Sequence, residues 1–226
     1  MALKLGNTSK NSAYLRRIKA AIEHDRNHPR HNGVLMQAHH IISAKGMSLT
    51  NLAKKIEKFG YDINELANLS FIPCTLQGAC YLGVQPHRGN HTALVDQDDY
   101  DDDLEVRDYH KMVAKKVIEL RLPLDKECPG NDTKKHNVVQ TKLDNLSKDI
   151  LGLIQHKPGA APLTEIAKYF TADQSVGCGG VDSVRSNKGF KPCAVERNHL
   201  NRQAANQKAE NITYKSDGKY SLKPGR

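Results

Sequence analysis

Val34-Leu35-Met36-Gln37-Ala38-His39-His40 is a short apolar run that ends on two adjacent histidines. A run of this length and composition predicts a β-strand. Further along, Leu69-Ser70-Phe71-Ile72-Pro73 is a second apolar run, closed by a proline. Proline lacks the backbone N–H that a ladder needs, so a second short strand is predicted to end there. Between the two, Leu49, Leu52, Ile56 and Phe59 recur at helical spacing from Ser48 to Phe59, and Gly60 suits a helix C-cap. Asp62 to Ala67 reads as a further turn or short helix.

On the N-terminal side, residues 12–27 predict a helix with Ser12 as cap and Leu15, Ile18 and Ile22 on one face. A basic turn, Arg26 to Gly33, leads from it to the first strand. On the C-terminal side, Gln85 to Asn90 reads as a loop entering a helix that carries His91. Residues 96–105 are sharply acidic: Asp96, Asp98, Asp99, Asp101, Asp102, Asp103 and Glu105. They read as a solvated loop, or as a surface for a second cation or a neutralising partner. Tyr109 to Leu120 resumes as a helix, ended by Pro123. Cys128-Pro129-Gly130-Asn131-Asp132 reads as a linker, after which Val139, Leu143, Leu146, Ile150 and Leu153 form an amphipathic stripe. Thr164 to Phe170 predicts a shorter helix, residues 171–193 are Gly-rich and irregular, and Asp217-Gly218 is a hairpin-turn signature. An α+β fold is expected, with a small hairpin and helix embedded among helices. Residues 1–11 would be a flexible lead-in, 12–125 the main domain, and 131–226 a mainly helical, basic accessory region ending in a hairpin.

The 226 residues suffice for one medium domain or two small ones. No apolar run approaches the roughly 20 residues of a membrane helix. Met1 to Leu5 lacks the apolar stretch of a secretory signal. A soluble chain with no membrane insertion is expected. The net charge is +9, which favours polyanionic partners. Residues 131–226 carry 16 Lys and Arg against 9 Asp and Glu, whereas residues 1–130 carry 18 against 16. The second half is therefore the expected phosphate grip. Five cysteines without a CxxC pair do not make a disulfide scaffold, and free thiols are expected. Cys178, Cys193 and His199, perhaps with Cys128, could contribute to a zinc site, but their spacing fits no strong zinc signature. Glu196-Arg197-Asn198-His199 reads as a basic, solvated or nucleic-acid-facing segment.

The chemistry concentrates in three places: His39-His40, Asn68, and His87-Arg88-Gly89-Asn90-His91. Phosphodiester hydrolysis needs a base for the attacking water and a positive charge for the phosphoryl and leaving oxygens. Histidine suits the first task and a divalent ion the second. His87 and His91 are four residues apart, which on a helix places them on one face. Adjacent residues of a strand point opposite ways, so only one of His39 and His40 is expected to ligate an ion, leaving the other as base. Arg88 could fork onto a phosphate, and a surface arginine is the equal alternative.

Ala38-His39-His40-Ile41-Ile42, Gly60-Tyr61-Asp62-Ile63-Asn64, Asn68 and His87-Arg88-Gly89-Asn90-His91 together resemble the AHH nucleases of the His-Asn-His superfamily. The resemblance covers about residues 34–120. It implies a ββα-metal core holding one divalent ion (Zn, Mg, Mn or Ni), with His39, His87 and His91 as ligands and His40 as general base. It also implies that Asn68 holds the loop and orients the base. One departure is that Tyr109 and Val113, expected soon after the last histidine, are delayed by the acidic segment. Such domains look like the toxic ends of bacterial polymorphic toxins, including type VI secretion effectors. The implied function is an endonuclease acting on DNA, with RNA not excluded, and with low sequence specificity. It would be exported without a classical signal, would act in the cytoplasm of a target bacterium, and would be neutralised by an immunity protein. The alternatives are a phage or mobile-element endonuclease with the same chemistry, and a non-enzymatic metal-stabilised nucleic-acid-binding module.

Overall fold

The computed structural model describes residues 5–87, 107–124, 133–164, 166–170, 174–182, 184, 186–187, 189, 191–202, 207, 211–215 and 220–226. Both expected strands are present: β1 (Met36–His40) and β2 (Leu69–Pro73). They pair antiparallel, with Ala38 opposite Phe71, His39 opposite Ser70 and His40 opposite Leu69. Every residue of β2 is buried. Part of the reason is that residues 223–226 run along its other edge. Phe71 N donates to Arg226 O at 2.6 Å, Gly225 N donates to Leu69 O at 2.7 Å, and Ser70 Oγ donates to the Lys223 and Arg226 carbonyls. Arg226 is also ion-paired to Asp25.

Helix α1 (Ala13–Ile22) is shorter than the expected 12–27; it buries Ile18 and Ile22, while Leu15 is exposed and Ser12 makes no side-chain cap bond. Of the helix expected from Ser48 to Phe59 only α3 (Ala53–Lys58) forms; a separate short helix, α2 (Ala44–Ser48), precedes it and shares only Ser48 with the expected range. The break lies at Thr50-Asn51. The Thr50 hydroxyl donates to Met47 O and accepts from Leu52 N, and Asn51 adopts a left-handed φ of 59°. Side chains of this kind compete with helical backbone bonds, which periodicity does not register. Helix α4 (Leu76–Leu82) was not foreseen; Thr75 caps it by accepting from Gly78 N. Helices α5 (Arg107–Glu119) and α6 (Thr133–His156) match their apolar stripes.

One main core joins these pieces: Ile18 and Ile22 of α1, Phe71 and Ile72 of β2, Tyr109, Val113 and Val117 of α5, and Val139, Leu143, Ile150 and Ile154 of α6. Residues on both sides of the expected linker, 128–132, which itself lies outside the described residues, share one apolar interior. After α6 the described residues contain only 3-10 turns, Pro158–Ala160 and Ala167–Tyr169, and no α-helix or strand. The expected helix from Thr164 to Phe170 is the second of these turns. A smaller apolar cluster packs Leu76, Ala79 and Cys80 of α4 against Ile166, Phe170, Cys178 and Val184. The Asp217-Gly218 turn and the acidic segment 96–105 lie outside the described residues. No described helix is long and apolar enough to cross a membrane.

Candidate active site

Alternation along β1 sends its last two side chains to different surroundings. His39 is buried. Its Nε2 lies 2.9 Å from the Tyr109 hydroxyl, and that hydroxyl donates to Ile41 O at 2.6 Å. Burial pushes the Tyr109 phenol well above its usual range, so it keeps its proton. With that proton committed to Ile41, the His39 contact requires Nε2 to donate. The His39 lone pair is then on Nδ1. Nδ1 faces His87 Nε2 at 3.0 Å, with the ring centroids 4.6 Å apart. His87 is delivered by the turn after α4, where its N–H donates to Pro73 O at 2.8 Å, and it too is buried.

His40 is half-buried and turns towards the segment that precedes β2. Its Nε2 lies 3.1 Å from Asn64 Oδ1. The Asn64 amide is oriented unambiguously, because Nδ2 donates to Ser9 O and to Asp62 Oδ1 while Oδ1 also accepts from Asn11 N. His40 must therefore donate from Nε2, which leaves Nδ1 as its basic nitrogen. Burial lowers the pKa of this imidazole to about 4, although the Asn64 bond opposes the shift. The ring packs against Tyr14 at 4.5 Å, and Lys10 lies over Tyr14 at 5.2 Å.

Asn68 is fully engaged elsewhere. Its Oδ1 accepts from Ile42 N at 2.6 Å and from Ser147 Oγ at 2.9 Å, and its Nδ2 donates to Ile42 O and Ile63 O. It fastens the turn that follows the histidine pair to α6 and to the chain before β2. The bond to His40 comes not from Asn68, as the resemblance implied, but from Asn64. The sequence signal for Asn64 was its place in Asp62-Ile63-Asn64, a polar turn in which Asp62 Oδ1 accepts from Asn64 N. Tyr109 reads from the sequence as a helix member and as the tyrosine that the resemblance places after the last histidine, with no role for its hydroxyl. A buried tyrosine needs a partner for its hydroxyl, and that is the hint it offers.

His91 and Arg88 lie outside the described residues. Of the three ligands expected, two are therefore on view, and they meet. Two nitrogens bound tetrahedrally at the usual 2.0–2.1 Å would be about 3.3 Å apart, close to the 3.0 Å seen between His39 and His87. A hydrogen bond from the second nitrogen of a ligating histidine is the usual support of such sites, and the Tyr109 hydroxyl accepts it from His39 Nε2. The pair fits a divalent ion.

In the segment Glu196–His199, Glu196 and Asn198 are exposed as expected, but the other two residues turn inward. His199 is buried against Cys178 and Cys193, and Arg197 donates to Gln174 O and Val176 O.

No curated protein and no solved structure gives a significant match to this chain. Residues 25–150 match AHH, a nuclease family of the HNH/ENDO VII superfamily with conserved AHH. That span is more than half of the chain and contains β1, β2, α5 and most of α6 together with both histidines of the pair. The chain belongs to the AHH nucleases of the HNH/ENDO VII superfamily and is an endonuclease that hydrolyses phosphodiester bonds of nucleic acid.

Proposed function

We propose that this nuclease cuts DNA with little sequence preference, using one divalent ion held by His39, His87 and His91 and His40 as general base. The observation that carries the reading is the approach of His39 Nδ1 to His87 Nε2 at 3.0 Å, with His40 next in the chain but turned to a separate partner. A bound ion would supply positive charge for the phosphoryl oxygens and the leaving sugar oxygen. An all-imidazole set favours zinc or nickel over magnesium.

The chain's own part is positioning and proton transfer. Asn64 holds His40 by Nε2, so Nδ1 is the atom that takes the proton from water. Tyr109 fixes the tautomer of His39, so that Nδ1 carries the ligand lone pair. Asn68 ties the turn after β1 to α6, which keeps the two histidines in register with the rest of the core. Lys10, beside Tyr14, and Arg88 supply positive charge for the substrate backbone. The net charge of +9 supports a polyanionic substrate.

The same reading extends to biology. We take the chain to be an antibacterial toxin, exported without a classical signal, active in the cytoplasm of a target bacterium and blocked by an acidic immunity protein. The support is the likeness of the motif set to toxin domains and the strong positive charge.

Plasmid cleavage by purified protein with added metal tests the chemistry, alongside His40→Ala. We expect cutting to fall by about 10² or more in the variant while DNA affinity is retained. Equal cutting would remove His40 from the base role. RNA in parallel decides the polymer. Expression in a bacterial cytoplasm tests the toxin role: growth arrest that His40→Ala relieves supports it, and unaffected growth with wild type rejects it.

A further inference from the structure

A second group of soft ligands converges away from the histidine pair. The ligand atoms of Cys80, Cys178, Cys193 and His199 all lie within 4.8 Å of one another. Cys178 Sγ and Cys193 Sγ are 3.6 Å apart, and His199 Nε2 is 3.5 Å from the first and 3.3 Å from the second. A disulfide would place the sulfurs about 2.05 Å apart, so this is not one. A tetrahedral zinc with the usual Zn–S and Zn–N lengths would separate sulfurs by about 3.8 Å and sulfur from nitrogen by about 3.6 Å. The spacings among Cys178, Cys193 and His199 are those of a coordination shell, and Cys80 Sγ lies within 4.8 Å of each. Four protein ligands close it, and closed shells of Cys3His type are structural rather than catalytic.

The backbone around the sulfurs is built for this approach. A Cβ at Gly177 would stand 2.7 Å from Cys193 N and Cβ, so only glycine lets the two strands of chain come together. Gly179 has φ +62°, and a Cβ there would meet Asn187 Oδ1 at 2.3 Å. Asn187 in turn clamps the loop, donating to Gly177 O and accepting from Lys191 N. Gly180 N donates to Cys178 Sγ at 3.4 Å, the support a thiolate ligand needs. The surroundings also need a staple. The described residues after Tyr169 hold no helix or strand, and the apolar cluster they share with α4 is small. Segments with so little core are commonly held by a metal.

We propose that Cys80, Cys178, Cys193 and His199 bind a structural zinc ion that fastens residues 174–199 to α4. Among the described residues the fourth ligand is Cys80, from α4; Cys128 lies outside them. Cys80 is 98 positions before Cys178, so no spacing rule would have joined them.

The test uses the full chain, purified under reducing conditions and loaded with zinc or cobalt(II). Cobalt-loaded wild type should show a thiolate-to-cobalt charge-transfer band and the intense visible bands of a tetrahedral site. Both should persist in His39→Ala, which removes only the other centre, and in Cys74→Ser. Cys193→Ser should lose much of the charge-transfer band and about one tightly held zinc per chain. A variant that fails to fold leaves the wild type to decide. Of its five thiols, those of Cys80, Cys178 and Cys193 should resist a thiol reagent until a strong chelator is added, after which all five react. Absence of the thiolate band in folded, cobalt-loaded wild type overturns the proposal. So does reaction of all five thiols at zinc saturation with the fold intact by circular dichroism.

Discussion

At the scale of single residues, the two histidines differ through what holds them. His39 is oriented by Tyr109 and His40 by Asn64. Tyr109→Phe keeps the buried ring but removes the hydroxyl, so His39 loses its tautomer lock and Ile41 O loses its donor. Losing such a support typically weakens metal binding by 10- to 100-fold; we expect about tenfold, read by competition with a chromophoric chelator. Asn64→Ala should lower kcat by about tenfold or more while DNA affinity stays near wild type, because a misplaced base costs turnover rather than binding. Asn64→Asp keeps an acceptor for Nε2 and should retain more activity; a kcat for Asn64→Ala equal to wild type would sink the role. The histidine pair was legible in the sequence because it stands in one combination with Asn68 and with His87 to His91 that resembles the AHH nucleases. Asn64 and Tyr109 were not, because their partners lie 24 and 70 residues away and polar contacts leave no periodic trace.

At the scale of elements, β2 was readable to the residue because an apolar run and a terminal proline mark both its ends. Helices α5 and α6 were readable because long stripes dominate local signals. What failed was short. The expected helix starts too early because the apolar spacing of Leu49 and Leu52 runs across Thr50-Asn51 into α3, and α2 and α4 carry no apolar stripe, α4 being hidden by its small residues Gly78, Ala79 and Cys80. The junction of α2 with α5 shows why a small residue matters there. A Cβ at Gly46 would lie 2.6 Å from Val113 Cγ1 and 2.8 Å from Ser43 Oγ. The Ser43 hydroxyl is also the cap of α2, accepting from Gly46 N. Gly46→Ala should therefore destabilise the fold by roughly 1–3 kcal/mol through overpacking, measured as a lower urea midpoint with unchanged m-value. Val113→Ala in the same chain should return part of the loss, since the two sites touch; strict additivity would show that the clash lies elsewhere.

At the scale of the whole molecule, the main core gathers residues from both sides of the linker read at 128–132, and the chain after α6 closes against α4 and β2. The region expected as an accessory from 131 on thus packs against the rest of the chain through α6, a contact that charge distribution and a Pro-Gly linker do not report. His28 gives this interior a pH dependence. It is buried against Phe71 and accepts from Arg30 N, and burial first, then Arg226, lowers its pKa to about 4. Between its unfolded value near 6.5 and about 4, the unfolded chain binds a proton that the folded chain refuses. Its contribution to stability is thus complete above pH 6.5 and is lost as pH falls towards 4. The urea midpoint should drop over that window, and His28→Gln should flatten the drop; an unchanged slope would assign it to other groups. The tight fit of the later residues has a practical corollary for anyone trimming this gene. A fragment stopped at residue 150, where the family match ends, would cut α6 short of Ile154 and strip Leu76, Ala79 and Cys80 of their cover. Such a fragment would carry the histidines yet present a sticky apolar flank, so its failure to stay monomeric would say nothing about whether the enzyme works.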